Sequence, residues 1–274
     1  MVKNPRERAL QVLTYLLLTV GAVIMLFPFL WMLATSLKPS HEIYNLSLIP
    51  QHTTLANYEK LFKQAAFGRW FFNSVVVATI TTLSVLFVDS LVGYILGKME
   101  FKGRDIVFFA ILSSVMIPTE MLIIPWYIGA SKLGITDTYL GIMFPGLTTA
   151  FGIFLMKQFF EGVPNDLLDA GRVDGLSEFG IWWRIAMPNV RPALAALVIF
   201  TFLGNWNAFL WPVIAIESPE MRTLPVGLSF FSYDNFNQYE LVMAGATIAL
   251  APVLAVFAVF QKQIIKGIAI TGLK

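Results

Sequence analysis

ALQVLTYLLLTVGAVIMLFPFLWMLATSL, residues 9–37, lies between Arg8 and Lys38 and carries no charged side chain. A helix needs about 20 predominantly apolar residues to cross about 30 Å of hydrocarbon, and this run exceeds that length. A signal peptide is the competing reading. The block is too long for the apolar part of one, and no small-residue cleavage site leading into a soluble chain follows it. It therefore reads as a retained membrane helix. Further along, Arg69 to Lys98 contains only Asp89, and Arg104 to Lys132 only Asp105 and Glu120. Uncharged stretches then separate Asp137 from Lys157, Arg191 from Glu217 and Glu240 from Lys262. One such block suits a buried helix of a soluble protein; six in succession do not. The expectation is an all-α membrane protein with six transmembrane helices near 10–37, 71–97, 106–129, 138–156, 192–216 and 241–261.

Composition supports the same class. A soluble chain of 274 residues would hold one or two domains, but 57% of this one is hydrophobic and 13% charged, with the apolar residues gathered in blocks. No repeat or low-complexity tract divides it, so residues 1–274 read as a single permeation domain. Lys and Arg accumulate on the cytoplasmic side of short loops. With the N-terminus inside, that side holds Lys3, Arg6, Arg8, Lys98, Lys102, Arg104, Lys157, Arg172, Arg184, Arg191, Lys262, Lys266 and Lys274, against Lys38, Lys60, Lys63, Arg69, Lys132 and Arg222 outside. Both termini are thus expected in the cytoplasm. The same flanks account for the slight positive balance, which gives no case for nucleic acid. Without cysteine there are neither disulfides nor thiolate metal sites.

Residues 158–190 form the longest cytoplasmic connection in that topology, and within it Asp169 to Pro188, DAGRVDGLSEFGIWWRIAMP, is polar and acidic. Pro164-Asn165 can start a short helix over 166–173, Asp174-Gly175 can end it, and Ser177 can cap a second helix running to Met187. The product is a helix-turn-helix knob. Ala170 and Gly171 leave part of it nearly bare, and Asp169 offers a carboxylate to a basic side chain across an interface. Docking to a soluble partner explains why a chain otherwise hidden in lipid carries such a loop.

This segment resembles the coupling loop of binding-protein-dependent ABC importers, whose signature reads E-A-A, two residues, D-G-A, then a hydrophobic I-x-L-P end. Asp169, Ala170 and Gly171 stand in the first part, Asp174 and Gly175 in the second, and Ile185 to Pro188 at the end. Asp, Gly and Met replace Glu, Ala and Leu, and Leu176 is bulkier than the Ala of the signature. MIPTEMLIIP at 116–125, LGITDTYLGI at 133–142, WNAFLWP at 206–212 and TLPVGL at 223–228 are similar to the carbohydrate-importer branch, in particular the smaller permease subunit of maltose-type transporters. The resemblance implies a six-span permease core in a bacterial or archaeal cytoplasmic (inner) membrane. It implies a second homologous permease, two ATP-binding subunits and an extracytoplasmic sugar-binding protein as partners. Asp169, Ala170, Gly171, Asp174, Gly175 and Pro188 would make the ATPase contact, and a tail after Lys262 would lie between the ATP-binding subunits. Its basic residues alone make that tail only a charged end. ATP and Mg would be used by the partners, with no cofactor in this chain. ATP-driven closure would move the coupling loops and turn the helices from inward-facing to outward-facing.

Charges in hydrocarbon face a bundle interior or an aqueous path. Asp89 lies nine residues before Lys98 and Glu120 sixteen after Arg104, roughly 13 and 24 Å from the cytoplasmic boundary, too far apart in depth to pair. They either line the pathway or anchor helices to one another. A proton-coupled secondary transporter using these two carboxylates is the alternative to an ATP-driven importer. Asn205, Trp206 and Asn207 bring amides and an indole into the fifth span, suited to sugar hydroxyls and ring faces or else to interhelix hydrogen bonds. Phe231, Tyr233 and Phe236 belong to an aromatic outer loop that serves either as an interfacial belt or, by the resemblance, as a contact for the binding protein. Pro28, Pro118, Pro125 and Pro145 interrupt spans, either as ordinary kinks or at gating points. Enzyme readings lack material. His41 and His52, the two histidines, fall in the first outer loop and read as solvated residues, so no catalytic group or metal ligand is expected. No G-x-x-x-x-G-K-[ST] loop is present to hold ATP.

Overall fold

The structure, a computed structural model, describes residues 5–64, 66–233 and 238–271. Among them every regular element is helical. Two compact units divide the chain, residues 1–67 with 228–251 and residues 68–227 with 252–274.

In the first unit, helix α1 (Pro5–Ser36) covers the block that opened the sequence analysis. Its Leu, Val, Ile and Phe side chains are exposed around the whole circumference, as expected of a helix whose solvent is lipid. At its C-terminal end, Asn57 of helix α2 (Ala56–Gln64) donates from Nδ2 to the carbonyls of Ser36 and Lys38, both at 2.8 Å. The Ser36 carbonyl is one of those that a helix end leaves unpaired, and the Lys38 carbonyl belongs to the turn that follows.

Helix α3 (Phe67–Lys98) is the central element of the second unit. It is followed by α4 (Arg104–Ser113), α5 (Thr119–Lys132), α6 (Tyr139–Met143) and α7 (Ala150–Glu161). Next come α8 (Asn165–Val173), α9 (Glu178–Ile181) and α10 (Met187–Asn189), then α11 (Arg191–Trp206) and α12 (Leu210–Ala215). Helix α13 (Leu224–Tyr233) leads to α14 (Tyr239–Thr271), which runs from the first unit into the second. Among the described residues, three helices are long and apolar enough to cross a membrane unbroken: Leu10–Ser36, Phe67–Lys98 and Tyr239–Gln263. The remaining apolar blocks are broken. The 106–129 block is α4 and α5, bent by 101° where Ile117 adopts an extended conformation (φ −84°, ψ 117°). Pro118 is the cause, because its ring disfavours helical geometry in the residue before it. The 138–156 block is α6 and α7, bent by 48° around the turn containing Pro145. The 192–216 block is α11 and α12, separated at 207–209.

Gly93 and Gly97 of α3, in the run GYILG, bring α7 against α3. A Cβ at Gly93 would lie 2.6 Å from the Met156 Cβ and 2.9 Å from the Lys157 amide nitrogen, and one at Gly97 would lie 3.1 Å from the Lys157 carbonyl. Small residues four apart allow backbones to approach this closely where hydrophobic exclusion cannot drive association. Around the contact, Val85, Tyr94, Met156, Phe160, Trp182 and Leu197 form a buried core. Replacing Gly93 with Val should cost about 1–3 kcal/mol of stability by overpacking, whereas Gly129→Val in α5, with nothing within 4 Å of the added Cβ, should cost less. Thermal unfolding of the two variants in the same detergent measures the difference.

Candidate functional site

The knob expected between 164 and 188 is built largely as its residues predict. Helix α8 starts after Pro164 and ends in a Schellman turn: Leu176 N donates to Gly171 O and Gly175 N to Arg172 O, both at 3.0 Å. Gly175 takes φ +80°, the left-handed conformation that glycine adopts without steric cost. Ser177 then caps α9, its Oγ accepting from Gly180 N at 3.2 Å. The second helix is not regular, however. Residues Trp182–Ala186 form a π turn in which Met187 N reaches back to Trp182 O. The exposed Pro188 follows it, and the chain bends by 86° at Val190 into α11.

Gly171 proves to be an inward residue. A Cβ there would lie 2.5 Å from Ile185 Cδ1 and 3.3 Å from Ile181 Cγ1, so its bareness serves the packing of the knob's own helices. Ala170, Leu167 and Val173 form the outward stripe of α8, Val173 being 89% exposed. Asp169 and Asp174 are exposed beside it. Asp169 is already paired within the chain: Arg172 Nη1 donates to its Oδ1 at 2.5 Å. Arg172 Nε also donates to Glu178 Oε1 at 2.7 Å, and Glu178 Oε2 accepts from the Tyr94 hydroxyl of α3 at 3.0 Å. The Arg172 hydrogen bonds hold the Glu178 carboxyl below the usual carboxylate range. Lys98 completes the attachment, donating to Val163 O at 2.6 Å and Asn165 Oδ1 at 2.8 Å at the entrance to α8.

A cavity of 320 Å³ opens elsewhere in the second unit, lined by Glu120, Trp126, Asn205, Phe209 and Trp211 among others. Three of its aromatic neighbours meet edge to face. Trp126 and Trp211 have centroids 5.8 Å apart, Phe144 and Trp211 5.6 Å. Trp211 Nε1 donates to the Gly141 and Ile142 carbonyls, both at 3.1 Å, which fixes the indole in place. Glu120 and Asn205 therefore share one space. Trp206 does not reach it: the ring is buried, stacked on Phe202 and edge-on to Phe71. Asn207 is exposed and outside the lining. Trp126 and Trp211 escaped the sequence reading. Trp211 stands inside the WNAFLWP run and Trp126 one residue beyond MIPTEMLIIP, so those runs were the available signal.

A family model described as "Binding-protein-dependent transport system inner membrane component" matches residues 89–270, a stretch holding the knob and the cavity residues named above. The chain belongs to this family. It is 39% identical over 258 residues to the arabinooligosaccharides transport system permease protein AraQ of Bacillus subtilis, covering 92% of each chain. Lactose transport system permease protein LacG of Rhizobium radiobacter is 32% identical, with 97% of this chain and 98% of LacG covered. To the sn-glycerol-3-phosphate transport system permease protein UgpE of Yersinia enterocolitica the identity is 30%, with 98% of each covered. In backbone, the chain matches one chain of a bacterial ABC transporter involved in the import of the acidic polysaccharide alginate with a TM-score of 0.84, at 23% identity and over 96% and 99% of the two chains. That likeness establishes the fold. As a member of a permease family, the chain is a transport subunit and not an enzyme.

Asp89, where the family match begins, is not among the residues that line the cavity. Its fully buried carboxylate accepts from Thr148 Oγ1 at 2.6 Å, from Thr149 Oγ1 at 2.8 Å and from Thr149 N at 3.0 and 3.2 Å. Thr149 is the N-cap of α7, and Gly152 leaves the carboxylate its room, since a Cβ there would collide with Asp89 Oδ2. Asp89 thus anchors the start of α7 to α3, the helix-contact reading. Phe231 is buried within α13. The Tyr233 side chain and Phe236 lie outside the described residues, as do Lys3 and Lys274. His41 and His52 are exposed as expected, but both converge on buried Glu42. Asp89→Leu should lower permease stability by about 3 kcal/mol, because Thr148 Oγ1 and Thr149 N lose a charged acceptor in a buried place, and Asp89→Asn by less, since one acceptor oxygen remains. Unfolding temperatures in detergent measure both.

Proposed function

We propose that this permease is the transmembrane subunit of an ATP-driven importer of neutral oligosaccharides, with the knob at 165–188 transmitting movement from ATP-binding partners. The observation that carries the coupling half is the outward stripe Leu167, Ala170, Val173 on a knob that is tied to α3 at Tyr94 and Lys98. Apolar and small residues on an otherwise polar loop suit the groove of a soluble partner. The links to α3 let a push on that stripe reach a helix that crosses the membrane. Asp169, Asp174, Gly175 and Pro188 flank the contact, and Gly171 supports it from below. Two ATP-binding subunits, a second permease and an extracytoplasmic binding protein complete the assembly. ATP and Mg are held by the ATP-binding partners.

The substrate class rests on the cavity and on the relatives. Aromatic faces at Trp126, Phe209 and Trp211 with the polar groups of Asn205 and Glu120 match polyhydroxylated rings. Glu120 is the one charged side chain among the lining residues, and no Lys or Arg stands there to hold a phosphate or carboxylate. That favours substrates like those named for AraQ and LacG over one like that named for UgpE. A proton-coupled carrier is not supported, because Asp89 serves as an anchor. Phe231, being buried, drops out of the contact proposed for the binding protein, which is left to Tyr233 and Phe236.

Reconstitution of the complete importer with its binding protein tests both halves. ATPase activity should rise when the binding protein carries a neutral oligosaccharide and not when only glycerol phosphate or amino acids are offered; the opposite pattern overturns the substrate class. In the same preparation, Ala170→Arg should lower ligand-stimulated ATPase at least about tenfold, by burying an unpaired charge at the contact, while the permease still inserts. Full stimulation in that variant overturns the docking role.

The orientation proposed here puts both termini and the knob in the cytoplasm, where ATP is available. Because the chain has no cysteine, single cysteines can be read without background. Tyr44→Cys and Glu217→Cys should react with a membrane-impermeant maleimide in intact cells, and Lys102→Cys and Val173→Cys only after permeabilisation. The reverse labelling pattern inverts the topology.

A further inference from the structure

The chain has two histidines, eleven positions apart across Glu42 and the following loop, and both meet one carboxylate. His52 Nδ1 lies 2.5 Å from Glu42 Oε1, and His41 Nε2 lies 3.7 Å from the same oxygen. All three potential ligand atoms fall within 4.8 Å of one another. The side chain of Glu42 is 8% exposed, those of His41 and His52 77% and 76%. A carboxylate is therefore held inside the loop while two imidazoles close over it from the solvent side.

The loop around this group is shaped before any ion arrives. Thr54 N donates to Leu37 O at 2.9 Å and closes the base. Lys38, fully buried, points its Nζ inward to the carbonyls of Asn45 at 2.8 Å and Ser47 at 2.6 Å, with the Trp31 ring 5.0 Å away. The intervening chain is wrapped around that ammonium. His41 and Glu42 are delivered by the short 3-10 helix Ser40–Glu42, and the His52 backbone N–H meets Glu42 Oε2 at 3.4 Å.

Two imidazoles and a carboxylate are the donor set of three-ligand zinc sites, which keep a fourth position for water. Ligand bonds of about 2.0–2.2 Å place tetrahedral ligand atoms about 3.3 Å apart. The His41–Glu42 separation is near that value, and the His52–Glu42 pair needs to open by less than about 1 Å, which a small rotation of the exposed His52 ring provides. Magnesium and calcium take shells of oxygen ligands, so nitrogen donors select borderline ions of the zinc type. We propose that His41, Glu42 and His52 form a binding site for a zinc-class divalent cation, which staples the start of the loop to its end. The proposal is independent of substrate and of ATP coupling.

The test uses the full-length permease purified in detergent with an affinity tag that contains no histidine. Zinc is titrated in competition with a chromophoric chelator, and the metal content is measured after desalting. One zinc per chain should be retained against millimolar Mg²⁺. His41→Ala and His52→Ala should each weaken binding at least about tenfold, the lower end of what loss of even an outer-shell partner costs, and the double variant should retain none. Zinc should also raise the unfolding temperature of the unaltered chain and leave that of the double variant unchanged. Because His52 also hydrogen-bonds the buried Glu42 carboxylate, each variant's metal-free unfolding temperature is its own reference, and loss of the zinc-induced increase is what separates loss of a ligand from loss of the fold. Absence of retained zinc, or equal zinc in the double variant, overturns the proposal.

Discussion

Backbone amides and carbonyls released where a helix breaks find no water in hydrocarbon, so each break has to bring its own hydrogen-bonding partner. Much of this permease follows from that constraint. Asp89 covers the break before α7, and the Trp211 indole covers carbonyls at the end of α6. Asn73 donates to the carbonyls of Glu220 and Arg222 while its own oxygen accepts from the Tyr139 hydroxyl. Asp137 receives Glu217 N and Ser218 N, both at 3.0 Å, and although burial pushes its carboxyl up, these bonds outweigh it and hold the group below the usual range. In each case a polar side chain within or beside an apolar block is committed to the backbone of another segment. Sequence distance is no guide to the pairing: Asn73 bonds partners nearly 150 positions away.

The same constraint explains what could be read in the sequence and what could not. Uncharged blocks of bilayer length and the Ser177 and Gly175 signals are local, and local patterns survive into the structure. The role of Asp89 depended on Thr148 and Thr149, two ordinary residues whose proximity is set only by the packing of α7 on α3. Asn205, Trp206 and Asn207 are consecutive, yet a helix sends consecutive side chains about 100° apart, so one reaches the cavity, one the core and one the surface. The GYILG run also held small residues four apart, a local spacing that the sequence reading did not use. The convergence of His41 and His52 had no local sign, because it is made by the turn around Lys38.

The knob joins an exposed outer stripe to a stiff, buried base. Its inner residues Leu168, Ile181, Trp182 and Ala186 belong to the same buried core as Tyr94 and Phe160, so its position is determined by close packing as well as by the Arg172–Glu178–Tyr94 hydrogen bonds. Interiors packed to this density transmit displacement instead of absorbing it. Asp169 shares the Arg172 guanidinium with Glu178, so this exposed group of three side chains keeps one net negative charge.

The π turn at Trp182–Ala186 holds one residue more than an α-helical turn of the same advance. Deleting any one residue there would restore a regular helix and rotate everything beyond it by about 100° about the helix axis. Val190, where the chain bends by 86°, would then launch α11 in a different direction, and Asn205 with it. The segment is a length-locked joint: an insertion or deletion between the knob and α11 changes the phase of everything beyond it, because the extra residue is what sets the direction of that helix.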